Sequence, residues 1–402
     1  MEQRTMSAIK QEFEGFLRTF EKDQDLVVQD AEEEPGSKIG DNYMSIVLRT
    51  KIIGKYGNGK PYEKSFMTKW IPRHRPIASF VRNEEFFHNE AHVYQKLLPH
   101  LGPIAPQCIY ADPERIIMED LKSRGYVVNE RRNLLDLEHC TAVVKTLASL
   151  HARSLALKIS DPQRFKSLMS PLKEAVFPQD SRPAVGSSIA FSLNYAIKIL
   201  ESIEPKTDEL TAGIELVKRY IENTYDVMRE LLLARNDKYD VMSHGDAWNN
   251  NILFKHDAAG RVTDVKLLDF QIVRHTSAAI DFLYFVYSSA QAEVIHESFD
   301  DLVEIYHRQF IYELRRLHVP ETNISDLTTD WFNSELQKYS VYGILTGYWI
   351  VNAVLADESD AIDMDSLTVE QMEGIGRIEP PIRPIIMERM KHITLHYQRR
   401  FS

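Results

Sequence analysis

The chain has 402 residues, of which 44% are hydrophobic and 27% are charged. This balance is typical of an ordinary soluble globular protein, and the length allows about two to three domains. The net charge of −11 argues against a general nucleic-acid-binding protein, because phosphate backbones are bound by an excess of Lys and Arg.

Residues 1–34 are predicted to form an N-terminal helical extension. Apolar side chains recur there at helical spacing and mark one face of an amphipathic helix, namely Ile9, Phe13, Phe16, Leu17 and Phe20. The segment lacks the uninterrupted apolar core of a secretory signal, and the two cysteines, Cys108 and Cys140, form no CxxC motif. We therefore expect a cytoplasmic protein with free thiols.

Residues 35–121 are predicted to form a small β-rich lobe. The runs NYMSIVLRTKIIG and KSFMTKWIP predict two strands, and KYGNGKPYE between them has the Gly, Asn and Pro of a hairpin loop. The run NEEFFHNEAHVYQKLL then predicts a helix. QCIYADPERIIMEDL predicts two short strands around an Asp-Pro turn.

Residues 122–402 are predicted to form a larger, mainly helical lobe. LEHCTAVVKTLASLHARSLAL and IELVKRYIENTYDVMRELLL both keep apolar residues at helical spacing. A loop-and-strand region at 244–270 interrupts this lobe, and the helical pattern resumes from Ile280. The predicted fold class is therefore α+β, with a small β-rich lobe, a larger helical lobe and a ligand cleft between them.

Residues 339–356 carry no charge over 18 positions, which is the lower limit for a membrane span. The segment also contains Ser, Gly, Thr and Asn, and acidic residues follow it. This composition favours a buried helix of the large lobe over a transmembrane helix. We expect some of its aromatic and apolar side chains to line a pocket near the loop that carries Asp246, among Tyr342, Leu345, Tyr348 and Trp349.

The run HGDAWNNNILF places Asp246 and Asn251 on a loop before a short strand, and LLDF places Asp269 at the end of a second strand. If the two strands pair, Asn251 and Asp269 can offer oxygen ligands to one Mg²⁺, which prefers hard oxygens and completes its shell with water and phosphate. Asp246 would lie at the mouth of the loop, free to accept a proton. These three roles are the minimum for phosphoryl transfer from a magnesium nucleotide to a hydroxyl.

The small lobe offers further candidates for nucleotide binding. Lys69 lies among apolar residues of a predicted strand, and Glu90 lies 21 residues later on the next helix, as in the Lys–Glu pair that orients phosphates in kinases. The glycine loop is short, with only Gly40 and the nearby Asn42, and a Walker A motif is absent. The IIMEDL run, through Met118, Glu119 and Leu121, either contacts an adenine edge at the lobe junction or is an ordinary strand end.

The pattern HGD-x-x-x-x-N followed by DF resembles the aminoglycoside phosphotransferase and choline kinase superfamily. The details GDNYMS, FFHNEAHVY, MEDL, HGDAWNNNILF and LLDFQIVRHTSAAIDFLYF are similar to the insect ecdysteroid kinase-like (CHK kinase-like) family, over roughly residues 35 to 350. The resemblance implies a protein-kinase-like fold with ATP in the cleft. It also implies Asp246 as the catalytic base, Asn251 and Asp269 as magnesium ligands, and Lys69 with Glu90 as the phosphate-orienting pair. His244 and Asp281 would support the catalytic loop.

Two other functions are weighed against a small-molecule kinase. Only eleven residues separate Asp269 from Asp281, which leaves no room for the substrate-binding segment of a protein kinase. A non-catalytic nucleotide-binding protein is less favoured because all five catalytic residue types are present. The resemblance favours an ecdysteroid or related lipophilic alcohol as acceptor. Choline, an aminoglycoside or a sugar stays an alternative, and no obligate protein partner is evident.

Overall fold

The computed structural model describes residues 5–36, 45–73, 75, 82–233, 238–356 and 381–402. The strands are β1 (Val27–Pro35), β2 (Ile46–Lys55), β3 (Pro61–Trp70), β4 (Cys108–Asp112), β5 (Arg115–Glu119), β6 (Tyr126–Val128), β7 (Val241–Ser243), β8 (Ile252–His256), β9 (Val262–Leu267) and β10 (Arg274–Thr276). The helices are α1 (Met6–Phe20), α2 (Asn83–His92), α3 (Leu98–Leu101), α4 (Leu137–Ser160), α5 (Pro162–Met169), α6 (Arg182–Glu201), α7 (Asp208–Lys218), α8 (Thr224–Leu232), α9 (Ala279–Ser289), α10 (Ala292–Glu297), α11 (Phe299–Arg316), α12 (Glu321–Ile324), α13 (Thr329–Val354) and α14 (Pro384–Phe401).

The small lobe is an antiparallel sheet of five strands in the order β1-β2-β3-β5-β4. Helix α1 covers one face, where Phe13 packs against Phe66 with ring centroids 5.7 Å apart. Successive side chains of a strand point to opposite faces, so Lys69 lies on the other face, with its cross-strand neighbours Val47 and Ile116. That face is turned toward the large lobe.

The sheet begins earlier than the predicted boundary at residue 35. Strand β1 lies, except for Pro35, within the segment 1–34 that was predicted to be a helical extension, and it pairs with β2 along its length. Its sequence VVQDAEEEP is acidic because β1 is an edge strand with several exposed side chains. The predicted amphipathic helix is present as α1, with Ile9, Phe13 and Leu17 buried.

The large lobe is mainly helical, and α9 lies buried along its whole length between α13 and α4. Two small β elements interrupt it, the pair β7–β10 and the three-stranded sheet β6-β8-β9. The observed architecture is thus α+β with two lobes, as predicted. No helix in the described ranges is both long enough and apolar enough to cross a membrane.

Two predicted helices of the large lobe can be compared directly with the structure. Most of the uncharged segment lies on α13, which extends to Val354, and the helix is largely buried as expected. The run that predicted one helix from Ile214 forms two, because α7 ends at Lys218 and α8 starts at Thr224. Helix α7 packs on α6 and α14, whereas α8 packs on α6 and α13, so the two helices share α6 but each also has a partner of its own.

Candidate active site

The loop between β7 and β8 carries Asp246 and Asn251 into the cleft. Gly245 has a φ of +84°, and a Cβ there would lie 2.2 Å from the Ile272 carbonyl oxygen. Only glycine tolerates both the left-handed conformation and this close approach. The following residues close into a short 3₁₀ turn at Asn249–Asn251, and β8 begins directly after it. The backbone therefore fixes the positions from which the Asp246 and Asn251 side chains extend.

The Asp246 carboxylate is held on both of its oxygens. Asn251 donates its Nδ2 to Oδ2 at 2.9 Å, and the Tyr284 hydroxyl donates to Oδ1 at 2.5 Å. Burial raises the pKa of Asp246 to about 7; the hydrogen bond from Tyr284 opposes this rise, and the charge of Asp269 adds to it. The residue keeps a partial opening to solvent.

Asp269 lies at the end of the β8–β9 hairpin, beside the loop that carries Asn251. Its backbone is left-handed, with φ 64° and ψ 60°, a conformation that non-glycine residues rarely adopt and that Asp adopts more readily than most. Such backbone strain is concentrated at functional sites. The backbone amide of Leu268 donates to the Asn251 carbonyl at 2.8 Å, so the two segments that carry Asn251 and Asp269 are directly joined.

Lys69 connects the two lobes at the cleft. Its ammonium donates to Glu90 Oε2 at 2.8 Å and also forms an ion pair with Asp269. Lys69 is 5% exposed and Glu90 is fully buried, whereas the Asp269 side chain is 28% exposed. Burial lowers the pKa of Lys69, but the charges of Asp269 and Glu90 outweigh it, and the ammonium stays protonated.

Glu90 is placed by α2, which is anchored to the large lobe. The neighbouring Asn89 donates its amide to the Lys173 carbonyl at 2.8 Å and to the Gln271 carbonyl at 3.1 Å. Burial raises the pKa of Glu90 to about 7, and the attraction of Lys69 opposes this rise. Its second oxygen, Oε1, is buried and has no hydrogen-bond partner among the described residues.

A buried network supports the loop that carries Asp246. Asp281, near the start of α9, accepts from the backbone amides of His244 at 2.5 Å and Gly245 at 2.8 Å. It also contacts His151 Nε2 at 2.9 Å. His244 Nε2 lies 2.8 Å from the Leu268 carbonyl and its Nδ1 accepts from the Asp246 amide. Burial lowers the pKa of His244, and the acceptor role of Nδ1 likewise favours the neutral ring.

The other residues predicted to contact the nucleotide lie at the end of β5, just after it, or outside the described residues. Met118 is the fourth of the five residues of β5 and lies on the cleft face of the sheet, opposite Met67, which is two positions before Lys69. The amide of Glu119 donates to the Gln107 carbonyl, and its side chain accepts from the Gln107 amide, so its amide is already used. Leu121 begins a 3₁₀ turn, where the first amides lack intrahelical partners. Gly40 and Asn42 lie outside the described residues.

Sequence reasoning did not find three residues that lie around Asp246. Tyr284 was not singled out because it lies in the apolar run DFLYF. Its spacing of three positions from Asp281 places it on the same helix face. Arg274 forms a buried ion pair with Glu174, with Nε–Oε2 at 2.5 Å, and its positive charge lowers the pKa of Asp246. Nothing in the sequence links Glu174 to Arg274.

The donor set fits a magnesium nucleotide. The amide nitrogen of Asn251 is used by Asp246, which leaves its oxygen for a cation, and the Asp269 carboxylate faces the same cleft. In the described part of the chain no three His, Cys, Asp or Glu side chains form a metal cage. Two oxygen ligands from the protein suit Mg²⁺, which is usually held by few side chains together with water and phosphate.

Taken together, the two lobes and the Lys–Glu–Asp contact between them define a protein of kinase-like architecture. The model of the ecdysteroid kinase-like family matches residues 39–319, which is most of the chain. The chain belongs to the ecdysteroid kinase-like family, and this membership indicates a kinase-like phosphotransferase. No curated protein matches the chain.

Proposed function

We propose that the protein transfers the γ-phosphoryl group of ATP, in the presence of Mg²⁺, to a hydroxyl of a lipophilic acceptor such as an ecdysteroid. The observation that carries this proposal is the position of the Lys69 ammonium between Glu90 and Asp269. This contact joins three residues that are far apart in sequence and brings a buried cation to the place where phosphates would bind. A buried, strongly interacting cation in a cleft is typical of a functional site, which supports a catalytic protein over a non-catalytic one.

In this mechanism Lys69 binds and orients the α- and β-phosphates, and Glu90 holds Lys69 in place. Asn251 and Asp269 would hold Mg²⁺, which neutralises charge on the β- and γ-phosphates when bound. The oxygen of the acceptor hydroxyl attacks the γ-phosphorus while Asp246 accepts the hydroxyl proton. The bond between the γ-phosphorus and the β-phosphate oxygen breaks. The rate gain arises mainly from alignment of the reacting groups and from charge stabilisation.

Replacing Lys69 with Met is expected to raise KM for ATP and to lower kcat, because the phosphates lose their orienting charge. Glu90→Gln should do the same more mildly, since Lys69 keeps its contact with Asp269. Steady-state kinetics with ATP as the varied substrate measures both effects. Lys64→Met is the matched control, because Lys64 is half-exposed and paired with Glu21 of the segment after α1. Normal ATP kinetics in Lys69→Met would refute the assignment.

The proposed acceptor pocket involves α13, although its aromatic residues point to different partners. Tyr348 donates or accepts a hydrogen bond with Thr394 of α14 at 2.6 Å, so its ring packs away from the loop. Tyr342 is buried among the charged groups of the site. Burial raises its pKa, the charge of Arg274 opposes this rise, and the charges of Asp281, Glu174 and Asp246 add to it. Trp349 is partly buried, with its ring edge-on to Phe177 and its indole donating to Ser188.

Trp349→Ala is expected to raise KM for a steroid acceptor and to leave KM for ATP unchanged. The reason is that Trp349 packs against Phe177. Phe177 and Glu174 belong to one short segment, and Glu174 pairs with Arg274 beside the catalytic loop. Trp331→Ala is the control, since Trp331 is a partly buried Trp about 27 Å away along the same helix. If Trp349→Ala only lowers the melting temperature, the ring is core packing and the pocket lies elsewhere.

A screen of acceptors tests the proposed substrate class. Purified protein is incubated with labelled ATP, Mg²⁺ and one member each of the ecdysteroids, choline, sugars and phenolic glycosides. We expect a labelled phosphate ester with the ecdysteroid at the highest kcat/KM. A higher kcat/KM with choline or a sugar would replace the lipophilic acceptor with a polar one. Nucleotide binding without transfer to any acceptor would favour a non-catalytic binding protein.

A further inference from the structure

We propose that Tyr284 is the positioning residue for the base, holding the Asp246 carboxylate in the one orientation that can receive the acceptor proton. This inference rests on the proposed function, in which Asp246 is that base. Nothing in the motifs discussed above gives Tyr284 a role, because it lies in an apolar run on a helix that is buried along its whole length.

Helix α9 presents two polar groups to the catalytic loop from one face. Asp281 and Tyr284 are three residues apart, so they lie one above the other. Asp281 accepts from the amides of His244 and Gly245 and so fixes the backbone of the loop. Tyr284 contacts a side chain of the loop, because its hydroxyl donates to Asp246 Oδ1 at 2.5 Å. One helix thus positions both the loop and the reactive side chain.

The two hydrogen bonds to Asp246 restrict the carboxylate group. Asn251 Nδ2 donates to Oδ2 at 2.9 Å while Tyr284 donates to Oδ1, so rotation about the Cβ–Cγ bond would break both. Each carboxylate oxygen accepts about two hydrogen bonds, and one position on each therefore stays open for the acceptor hydroxyl. The carboxylate is held in place before the acceptor arrives, which avoids an ordering cost in the reaction step.

Tyr284 suits this role because its hydroxyl acts only as a donor here. The residue is 6% exposed, and burial, followed by the negative charge of Asp246, raises its pKa well above the ordinary value. The charged and titratable groups that interact with Asp246 or with its neighbours His244 and Tyr342 include Asp269, Arg274 and Asp281. Among the hydrogen bonds of the described residues, those of Tyr284 and Asn251 are the side-chain contacts that reach the Asp246 carboxylate.

The variant that tests the inference is Tyr284→Phe, which removes the hydroxyl and keeps the ring. We expect kcat to fall about ten- to a hundredfold, as for loss of a hydrogen bond to a charged group that aligns the reaction. KM for ATP should stay within about twofold, because Tyr284 contacts none of the proposed phosphate ligands. Turnover is measured with ecdysone as acceptor and, in parallel, with water as acceptor.

Tyr287→Phe is the matched control. Tyr287 lies one turn further along α9, is equally buried, and its hydroxyl is 3.0 Å from His396 Nδ1 on α14, away from the catalytic loop. Both variants therefore lose one buried hydroxyl, and we expect similar losses of melting temperature. Only Tyr284→Phe should lower kcat. Equal kcat in the two variants would show that Tyr284 is core packing and would overturn the inference.

A double-mutant cycle separates this inference from the function on which it rests. In an Asp246→Asn background, Tyr284→Phe should cause no further loss of kcat, because Tyr284 acts through Asp246. A full additional loss in that background would mean that Tyr284 acts independently, and the inference would be wrong. If Asp246→Asn itself turns over at the wild-type rate, or if the wild-type protein transfers phosphate to neither acceptor, the proposed function fails and the inference fails with it.

Discussion

Replacing Asp246 with Asn is expected to lower kcat by about 10²–10⁴-fold, the usual contribution of a positioned general base. The amide has nearly the same shape as the carboxylate but cannot take a proton from the acceptor hydroxyl. ATP affinity should stay within a few-fold, because Asp246 bonds to Asn251 and Tyr284 and not to Lys69. Rapid-mixing or steady-state transfer assays with labelled ATP measure the rate, and calorimetry measures ATP binding.

Asp257→Asn is a suitable control for this variant. Asp257 lies in the turn between β8 and β9, at the opposite end of the hairpin from the catalytic loop, and its carboxylate pairs with Arg261. We expect wild-type kinetics from it. Near-wild-type kcat in Asp246→Asn would remove Asp246 from the role of base, whatever the effect on stability.

Replacing Asp269 with Ala is expected to weaken Mg²⁺-dependent ATP binding by about a hundredfold. The variant loses a charged ligand of a hard cation and also leaves the buried Lys69 without one of its two carboxylates. Asn251→Ala should weaken binding less, by about tenfold, since it removes a neutral oxygen. The measurement is a titration of Mg²⁺ at fixed nucleotide concentration.

The two variants should differ in which quantity falls more, kcat or ATP affinity. Asn251→Ala also removes the amide that holds Asp246, so its kcat should fall more than its ATP affinity. In Asp269→Ala, ATP affinity should fall more than kcat. An unchanged metal dependence in Asp269→Ala would contradict its assignment as a magnesium ligand and would leave it as a partner of Lys69 alone.

Much of the site could be predicted because its chemistry is encoded in short, local patterns. HGD with an Asn five residues after the Asp requires a loop before a strand, and the next strand returns Asp269 beside it. Lys69 was identifiable because a charged residue among apolar strand positions needs a buried partner. The structure pairs it with Glu90, as expected from the following helix, at 2.8 Å.

Other features depend on contacts between distant segments and left no clear pattern. Tyr284 is one aromatic residue among several on a buried helix, and only the fold shows that its hydroxyl reaches Asp246. Strand β1 was missed because its acidic, half-exposed sequence is not typical of an isolated strand. Residues of α13 at helical spacing were expected to share one pocket, but Tyr348 packs on α14 while Trp349 packs on Phe177.

The most direct test of the account is transfer of the γ-phosphoryl group to a lipophilic alcohol. Wild-type protein is incubated with [γ-³²P]ATP, Mg²⁺ and ecdysone, and the labelled products are separated. The account predicts a labelled steroid phosphate that is absent without Mg²⁺ and strongly reduced in Asp246→Asn. Label found only in ATP, or an equal yield of steroid phosphate from wild type and Asp246→Asn, would contradict it.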